Sequence, residues 1–98
     1  MSENIEANGV IELLKKIKDP EFGVSIVELG LVDGLNVEEG CVTVFVNFNR
    51  SLPSCKSCVP LAWMVLRAIL REMERALKGA GVRYRIVEKS SGVVYLEG

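Results

Sequence analysis

The feature that most constrains the fold is one long amphipathic helical pattern in the second half of this 98-residue chain. Pro60 suits the first turn of a helix and Gly79-Ala80-Gly81 ends one, so the pattern predicts a helix over residues 60 to about 78. Its apolar residues share one helical stripe: Ala62, Val65, Leu66, Ile69, Met73, Ala76 and Leu77. A chain of this length holds one core, so we expect residues 1–98 to form a single domain.

The remaining sequence predicts a second helix and three or four strands. Asn8 can cap a short helix that Asp19-Pro20 ends, and its apolar face carries Val10, Leu13, Leu14 and Ile17. Residues 31–37 and 41–47 have strand patterns joined by a turn at Glu38-Glu39-Gly40. Alternation in the second strand places four residues on the core face: Val42, Val44, Val46 and Phe48. Residues 82–87 predict a third strand, and residues 93–96 a short fourth.

This α-β-β-α-β(-β) order indicates an α+β fold, a two-layer sandwich with a mostly antiparallel sheet. Both helices most economically cover the same apolar face of that sheet. Without repeats, linkers or low-complexity segments, the chemistry must lie on the loops of this one unit. The longest loop runs from residue 50 to residue 59.

That loop carries the strongest functional signal, because Cys55 and Cys58 have C-x-x-C spacing just before the long helix. Unsatisfied backbone N–H groups and the positive end of the helix dipole favour thiolate over thiol at a helix start. Thiolates bind soft metals and attack disulfides. The spacing therefore suits half of a metal or cluster site, a redox pair, or two incidental loop cysteines.

Composition narrows the function classes. Twelve basic and thirteen acidic residues give a net charge of −1 with no basic block, which argues against nucleic acid. The absence of histidine, of a nucleophile elbow and of a phosphate-binding glycine loop argues against hydrolases and kinases, so we expect no enzyme. We expect no membrane span and no signal peptide. An odd count of three cysteines favours reduced thiols and a cytoplasmic chain.

Four segments together resemble the iron-sulfur assembly factor family that includes the SufT proteins and the phenylacetate-pathway accessory protein PaaD. They are Lys18-Asp19-Pro20-Glu21, Val27-Glu28-Leu29-Gly30-Leu31-Val32, a loop with a Pro-small-Cys pattern, and Pro60-Leu61-Ala62 at a helix start. The resemblance covers residues of about 10 to 87. It implies the same order of elements and a role in maturing iron-sulfur proteins, with apo client proteins and other assembly factors as partners.

The resemblance also implies site residues. The family's cysteine corresponds to Cys55 by its Pro-Ser prefix or to Cys58 by the Pro-Leu-Ala that nearly follows, and both assignments stay open. The family's threonines correspond to Ser51 and Leu52, or to Asn49 under the other assignment, and Asp19 and Glu21 match family carboxylates. Asp-Pro after a helix is also ordinary turn chemistry, so a purely structural role for the two carboxylates is the alternative.

A two-iron cluster needs four thiolate-like ligands, and the loop of one chain offers two. Cys41 begins the strand that leads to the loop, so we expect it to lie far from the other two and to be structural. Two chains with two cysteines each give four ligands. Cluster binding thus predicts a homodimer or a complex, with a bridging and transient iron-sulfur cluster favoured over zinc.

Five apolar residues off the core stripes could form an exposed interface: Phe45, Leu61, Trp63, Met64 and Leu70. The alternative is that Trp63 covers the sheet edge or the cysteine loop. If the patch is exposed, the chain could act as an adaptor that holds client proteins and carries no cluster. The charged residues of the long helix, Arg67, Arg71, Glu74 and Lys78, are expected to form a solvated face with ion pairs.

The remaining alternative is a thiol-disulfide oxidoreductase in which Cys55 and Cys58 attack and resolve a substrate disulfide. In a thioredoxin-like domain the C-x-x-C pair follows a strand in a βαβ unit with parallel pairing. Here a hairpin and a loop precede the pair. The predicted topology therefore favours the assembly factor.

Overall fold

A computed structural model describes residues 7–20, 23–48 and 59–98 of the chain. The elements are α1 (Ala7–Lys15), β1 (Val32–Glu38), β2 (Cys41–Val46), α2 (Val59–Gly79), β3 (Arg83–Glu88) and β4 (Val94–Glu97). The predicted α+β order is confirmed, including the short fourth strand. Strand boundaries lie within a residue or so of the predicted ones, whereas Asn8 lies within α1, and that helix ends at Lys15, before the predicted stop.

The four strands form one sheet in the order β1-β2-β3-β4. β1 pairs with β2 and β3 with β4 in antiparallel fashion, which confirms the mostly antiparallel sheet. The central pair, β2 and β3, is parallel. A parallel pair needs a crossover connection, and α2 provides it, so β2, α2 and β3 form a β-α-β unit.

The β1–β2 hairpin turns through Glu39 and Gly40, between the paired residues Glu38 and Cys41. Both turn residues have positive φ, 49° for Glu39 and 78° for Gly40. This combination is typical of the type I′ turn, whose twist matches that of the strands it joins. Glycine adopts the left-handed region without a steric penalty, whereas Glu39 adopts it at a steric cost from its Cβ.

The predicted core face of β2 is confirmed: Val42, Val44, Val46 and Phe48 are fully buried. Residues of both helices join the same cluster, with Val10, Leu14, Leu66, Ile69, Met73 and Leu77 as members. α1 contacts α2 and β1, and α2 contacts β3. The arrangement of both helices on one face of the sheet stays a prediction. Neither helix in the described ranges is long and apolar enough to cross a membrane.

The prediction that Leu70 belongs to an exposed interface is wrong, because Leu70 is only 8% exposed and belongs to the core. The core stripe of α2 is wider than the sequence predicts: Leu70 lies one helical turn from Leu66 and Met73, and it lines a groove together with Tyr95 and Leu96 of β4. Leu61 and Met64 remain on the surface, each 65% exposed. The exposed part of the predicted patch is therefore smaller and lies near the start of α2.

Candidate functional site

The candidate site lies at the end of the sheet that is formed by the carboxyl ends of the parallel strands β2 and β3. Val46 and Glu88 are partners in register at these two ends. The chain then continues from Phe48 through residues 49–58 to Val59, where α2 begins. In α/β units, ligands bind at the carboxyl ends of parallel strands and at helix N-termini, so this end of the sheet is the expected position for a site.

Cys55, Cys58 and Ser51 lie outside the described residues, and so does Glu21. The structure fixes the residues on either side of the cysteine segment, and Val59, the residue after Cys58, is the first residue of α2. The prediction that the pair directly precedes a helix start therefore agrees with the position of α2.

A buried carboxylate holds the start of the cysteine segment. Glu88 is fully buried, and its Oε1 accepts hydrogen bonds from the Phe48 backbone N–H at 3.0 Å and from the Tyr95 hydroxyl at 2.7 Å. Its Oε2 accepts from the Ser90 hydroxyl at 3.1 Å. A buried charge is tolerated when such bonds replace its hydration. Glu88 thus joins the end of β2, the end of β3 and the edge strand β4.

Three aromatic rings pack against one another at this end of the sheet, and we call Phe48, Trp63 and Tyr95 the aromatic cluster. The ring centroids of Phe48 and Tyr95 lie 5.3 Å apart in a stacked arrangement, and those of Trp63 and Tyr95 lie 5.8 Å apart. Phe48 and Trp63 meet edge to face at 6.5 Å. Burial and the hydrogen bond to Glu88 raise the pKa of Tyr95 above its ordinary value, so its hydroxyl stays a proton donor.

The segment between α1 and β1 reaches the same end of the sheet. The backbone N–H of Asn47 donates to the Leu31 carbonyl at 2.8 Å, and its side-chain Nδ2 donates to the Gly30 carbonyl at 3.3 Å and to Asp33 Oδ1 at 3.0 Å. Lys89 Nζ lies 2.6 Å from the other oxygen of Asp33. The Val27–Val32 motif is therefore tied to the residue that precedes Phe48.

Asp19, a predicted site residue, is 7% exposed and lies in a tight turn. Its backbone N–H donates to the Val24 carbonyl at 2.9 Å, and its carbonyl accepts from the Gly23 N–H at 2.8 Å. The turn is extended by an antiparallel bridge between Lys18 and Ser25. These contacts suit the structural alternative, while a role of the Asp19 side chain in metal chemistry stays a prediction.

Two predicted interface residues lie apart from each other. Trp63 is half-buried in the aromatic cluster, which agrees with the alternative that it covers the end of the sheet. Phe45 is half-buried on β2, opposite Gly34 and Val87 and on the other face from the core. Met64 is exposed beside Trp63. Trp63 and Met64 therefore lie close to the candidate site.

Cys41 lies at the far end of β2, opposite Glu38 and Arg83 in register. Val46 lies five residue steps further along the strand, a distance of roughly 17 Å. Within the ranges that the structure describes, no group of three or more His, Cys, Asp or Glu side chains could hold a metal ion. The predicted thiolate ligands, Cys55 and Cys58, belong to the segment between Phe48 and Val59.

Sequence reasoning missed Glu88, Tyr95 and Asn47. A signal for Glu88 was present, because the alternation of Tyr84 and Ile86 continues to residue 88 and places an acidic side chain on the core face. A buried acid at the end of a strand points to a hydrogen-bond network. The position of Tyr95 beside Glu88 could not be predicted from alternation, since the pairing of β3 with β4 is irregular at this point.

Fold and site together define a small α+β domain whose C-x-x-C segment connects a parallel strand to a helix N-terminus. Residues 8–83 match the family model described as "Iron-sulfur cluster assembly protein". The match covers most of the chain, so the chain belongs to this family, and the resemblance seen in the sequence motifs is confirmed. Comparisons with curated proteins and with solved structures gave no match.

Proposed function

We propose that this protein carries iron or an iron-sulfur cluster to apo client proteins, with the thiolates of Cys55 and Cys58 as donors and no enzymatic turnover of its own. Membership in the iron-sulfur cluster assembly family supports the class of function. The assignment of the cargo site to Cys55 and Cys58 is supported by one observation: Val59, the residue after Cys58, begins α2. A helix N-terminus favours the thiolate form that such a cargo requires.

The donor set suits this cargo. Two soft thiolates per chain bind iron or a cluster well, and two chains supply the four ligands of a two-iron cluster. A cluster that bridges two chains has an exposed position from which it can be transferred. We propose a homodimer in the loaded state, iron-sulfur cargo rather than zinc, and a reducing, cytoplasmic setting in which the three cysteines stay reduced.

The test is anaerobic reconstitution with ferrous iron and sulfide, followed by visible absorption, iron content and mass in solution. The Cys55→Ser and Cys58→Ser variants are expected to lose the thiolate-to-iron absorption. Cys41→Ser is the matched control, because Cys41 lies at the other end of β2, and it should keep the absorption. One cluster per two chains is expected.

A colourless parent protein would refute the carrier proposal. Equal loss in all three variants would refute the assignment to the loop pair. A reporter assay extends the test: the loaded protein should restore the activity of an apo iron-sulfur enzyme, and the two loop variants should not.

One observation supports a second candidate, a thiol-disulfide oxidoreductase. β2 and β3 pair in parallel around α2, so the C-x-x-C pair does lie in a β-α-β unit, and the topological objection to this reading is weaker than the sequence indicated. In that reaction one thiolate attacks a substrate disulfide and the other resolves the mixed disulfide. The pair becomes oxidised and the substrate gains two thiols. Reduction of an insulin disulfide by the dithiol form, lost in both loop variants, would favour it.

A further inference from the structure

A groove of ≈ 460 Å³ runs between α2 and the edge strand β4. We call it the α2–β4 groove, and it is lined mainly by Trp63, Arg67, Leu70, Arg71, Tyr95 and Leu96. Its volume lies in the range of sites that bind ligands. Apolar side chains form its floor, since Leu70 is buried and Trp63, Tyr95 and Leu96 are half-buried.

The rim of the groove is cationic. Arg67 and Arg71 are both exposed, and neither has an ion-pair partner in the part of the chain that the structure describes. The predicted ion pairs of this helix face are confirmed only for Glu74 and Lys78, at 3.8 Å. Arg67 and Arg71 lie one turn apart on the same face, so both guanidinium groups can reach one ligand. The whole chain is slightly acidic, which makes this cationic rim a local feature.

The acidic side chain that lines the groove, Glu74, is already engaged. It accepts a hydrogen bond from the Tyr84 hydroxyl at 2.6 Å and faces Lys78. Its charge is thereby compensated from within the fold. Carboxylates of a partner suit the two rim guanidinium groups, because the planar fork binds them in bidentate fashion.

The edge of β4 supplies the third element of recognition. The backbones of Tyr84 and Gly98 exchange hydrogen bonds in both directions at 2.9 Å. Alternation along an antiparallel pair then directs the N–H and C=O of Glu97 away from β3, toward the open edge. Extended peptides recognise such an edge by adding a strand, with side-chain pockets for specificity.

We propose that the α2–β4 groove binds an extended acidic segment of a partner protein, which adds to β4, places an apolar side chain on Trp63 and Leu96, and directs carboxylates to Arg67 and Arg71. Two arginines are too few for strong binding of nucleic acid by charge alone, and the apolar floor favours a peptide. The proposal goes beyond the cargo function, since it needs neither the thiols nor metal. It gives the family's partner proteins a docking surface next to the start of α2.

The test uses a labelled ten-residue peptide with one central phenylalanine flanked by aspartates and glutamates. Binding is followed by fluorescence anisotropy and by the emission of Trp63, the only tryptophan in the chain. Arg67→Glu and Arg71→Glu should each weaken binding about tenfold or more. Arg75→Glu is the matched control: Arg75 is an exposed arginine of the same helix, pairs with Glu72 and lies outside the groove.

Four further arms separate the outcomes. A peptide with alanine in place of phenylalanine should bind weakly, and so should one N-methylated along the backbone that pairs with β4. A single-stranded oligonucleotide of equal charge should not compete. The Cys55→Ser/Cys58→Ser double variant should bind the parent peptide normally, so that this proposal and the cargo proposal can fail separately.

Absence of peptide binding would overturn the proposal. The same holds if the Arg75→Glu control loses as much affinity as the groove variants, or if the oligonucleotide binds more tightly than the peptide. Circular dichroism of each variant verifies that charge reversal on these exposed helix positions leaves the fold intact.

Discussion

Replacement of Tyr95 by phenylalanine tests whether the buried carboxylate stabilises the candidate site. The change removes one hydroxyl and keeps the ring, so the stacking on Phe48 and the contact with Trp63 persist. What is lost is the hydrogen bond of 2.7 Å to Glu88 Oε1. Glu88 keeps its bonds from the Phe48 N–H and the Ser90 hydroxyl.

The expected magnitude follows from the type of bond. Hydrogen bonds to charged groups contribute about 1.5 to 3 kcal/mol to stability. Tyr95 is half-buried, and water can partly replace the hydroxyl, so we expect the lower part of this range, about 1.5 to 2 kcal/mol. For a domain of this size, such a loss lowers Tm by about 6 to 16 °C.

The assay is urea unfolding followed by Trp63 fluorescence, with thermal unfolding as a second measurement. Tyr84→Phe is the matched control, because Tyr84 also donates to a glutamate, Glu74, at 2.6 Å. The side chain of Glu74 is 32% exposed and pairs with Lys78, whereas Glu88 is fully buried. The control should therefore lose less stability than Tyr95→Phe.

A double-mutant cycle with Glu88→Gln isolates the pair. In the Glu88→Gln background, loss of the tyrosine hydroxyl breaks only a neutral hydrogen bond, so the coupling between the two positions should be about 1 kcal/mol. Equal losses for Tyr95→Phe and Tyr84→Phe, or a coupling near zero, would refute the view that the charge of Glu88 organises this end of the sheet.

Two further predictions concern the turn and the second tyrosine. Because Glu39 has a positive φ, Glu39→Asn should increase the free energy of unfolding by about 0.5 to 1 kcal/mol, seen as a higher urea midpoint at unchanged m. No rise in the midpoint would contradict the type I′ assignment. The hydrogen bond to Glu74 raises the pKa of Tyr84 from 10.0 to about 12, so the stability it contributes is present below pH 10 and lost as pH rises toward 12. Tyr84→Phe should flatten this alkaline decline, and a tyrosinate signal from Tyr84 at pH 10 in the folded protein would contradict it.

Local patterns predicted most of the fold. Period-two alternation identified the core face of β2 from Val42 to Phe48, because sheet faces are set by the pleat itself. Helical spacing identified Leu66, Ile69, Met73 and Leu77 as core residues for the same kind of reason. The parallel pairing of β2 with β3 could not be predicted in this way, since alternation records which face is buried and carries no information on strand direction.

The candidate site was predictable only in part. The C-x-x-C spacing and the helix start are local features of the sequence. Glu88 accepts hydrogen bonds from Phe48, which lies 40 positions away along the chain, and from Tyr95, which lies 7 positions away. Both bonds depend on which strands are neighbours in the sheet. Leu70 shows the same limit, because a helix position becomes core only where other parts of the fold pack against it.

Tyr95 links the two surfaces for which we propose functions. Its ring lines the α2–β4 groove, and its hydroxyl binds the carboxylate that accepts the Phe48 N–H, immediately before the cysteine segment. A peptide on the groove would therefore contact a residue only two hydrogen bonds away from the start of that segment. Variants at Arg67 and Arg71 alter the rim alone, so they should change peptide binding and leave cluster reconstitution intact. Tyr95→Phe removes the hydroxyl and keeps the ring that lines the groove, so it should change cluster reconstitution and leave peptide binding nearly unchanged.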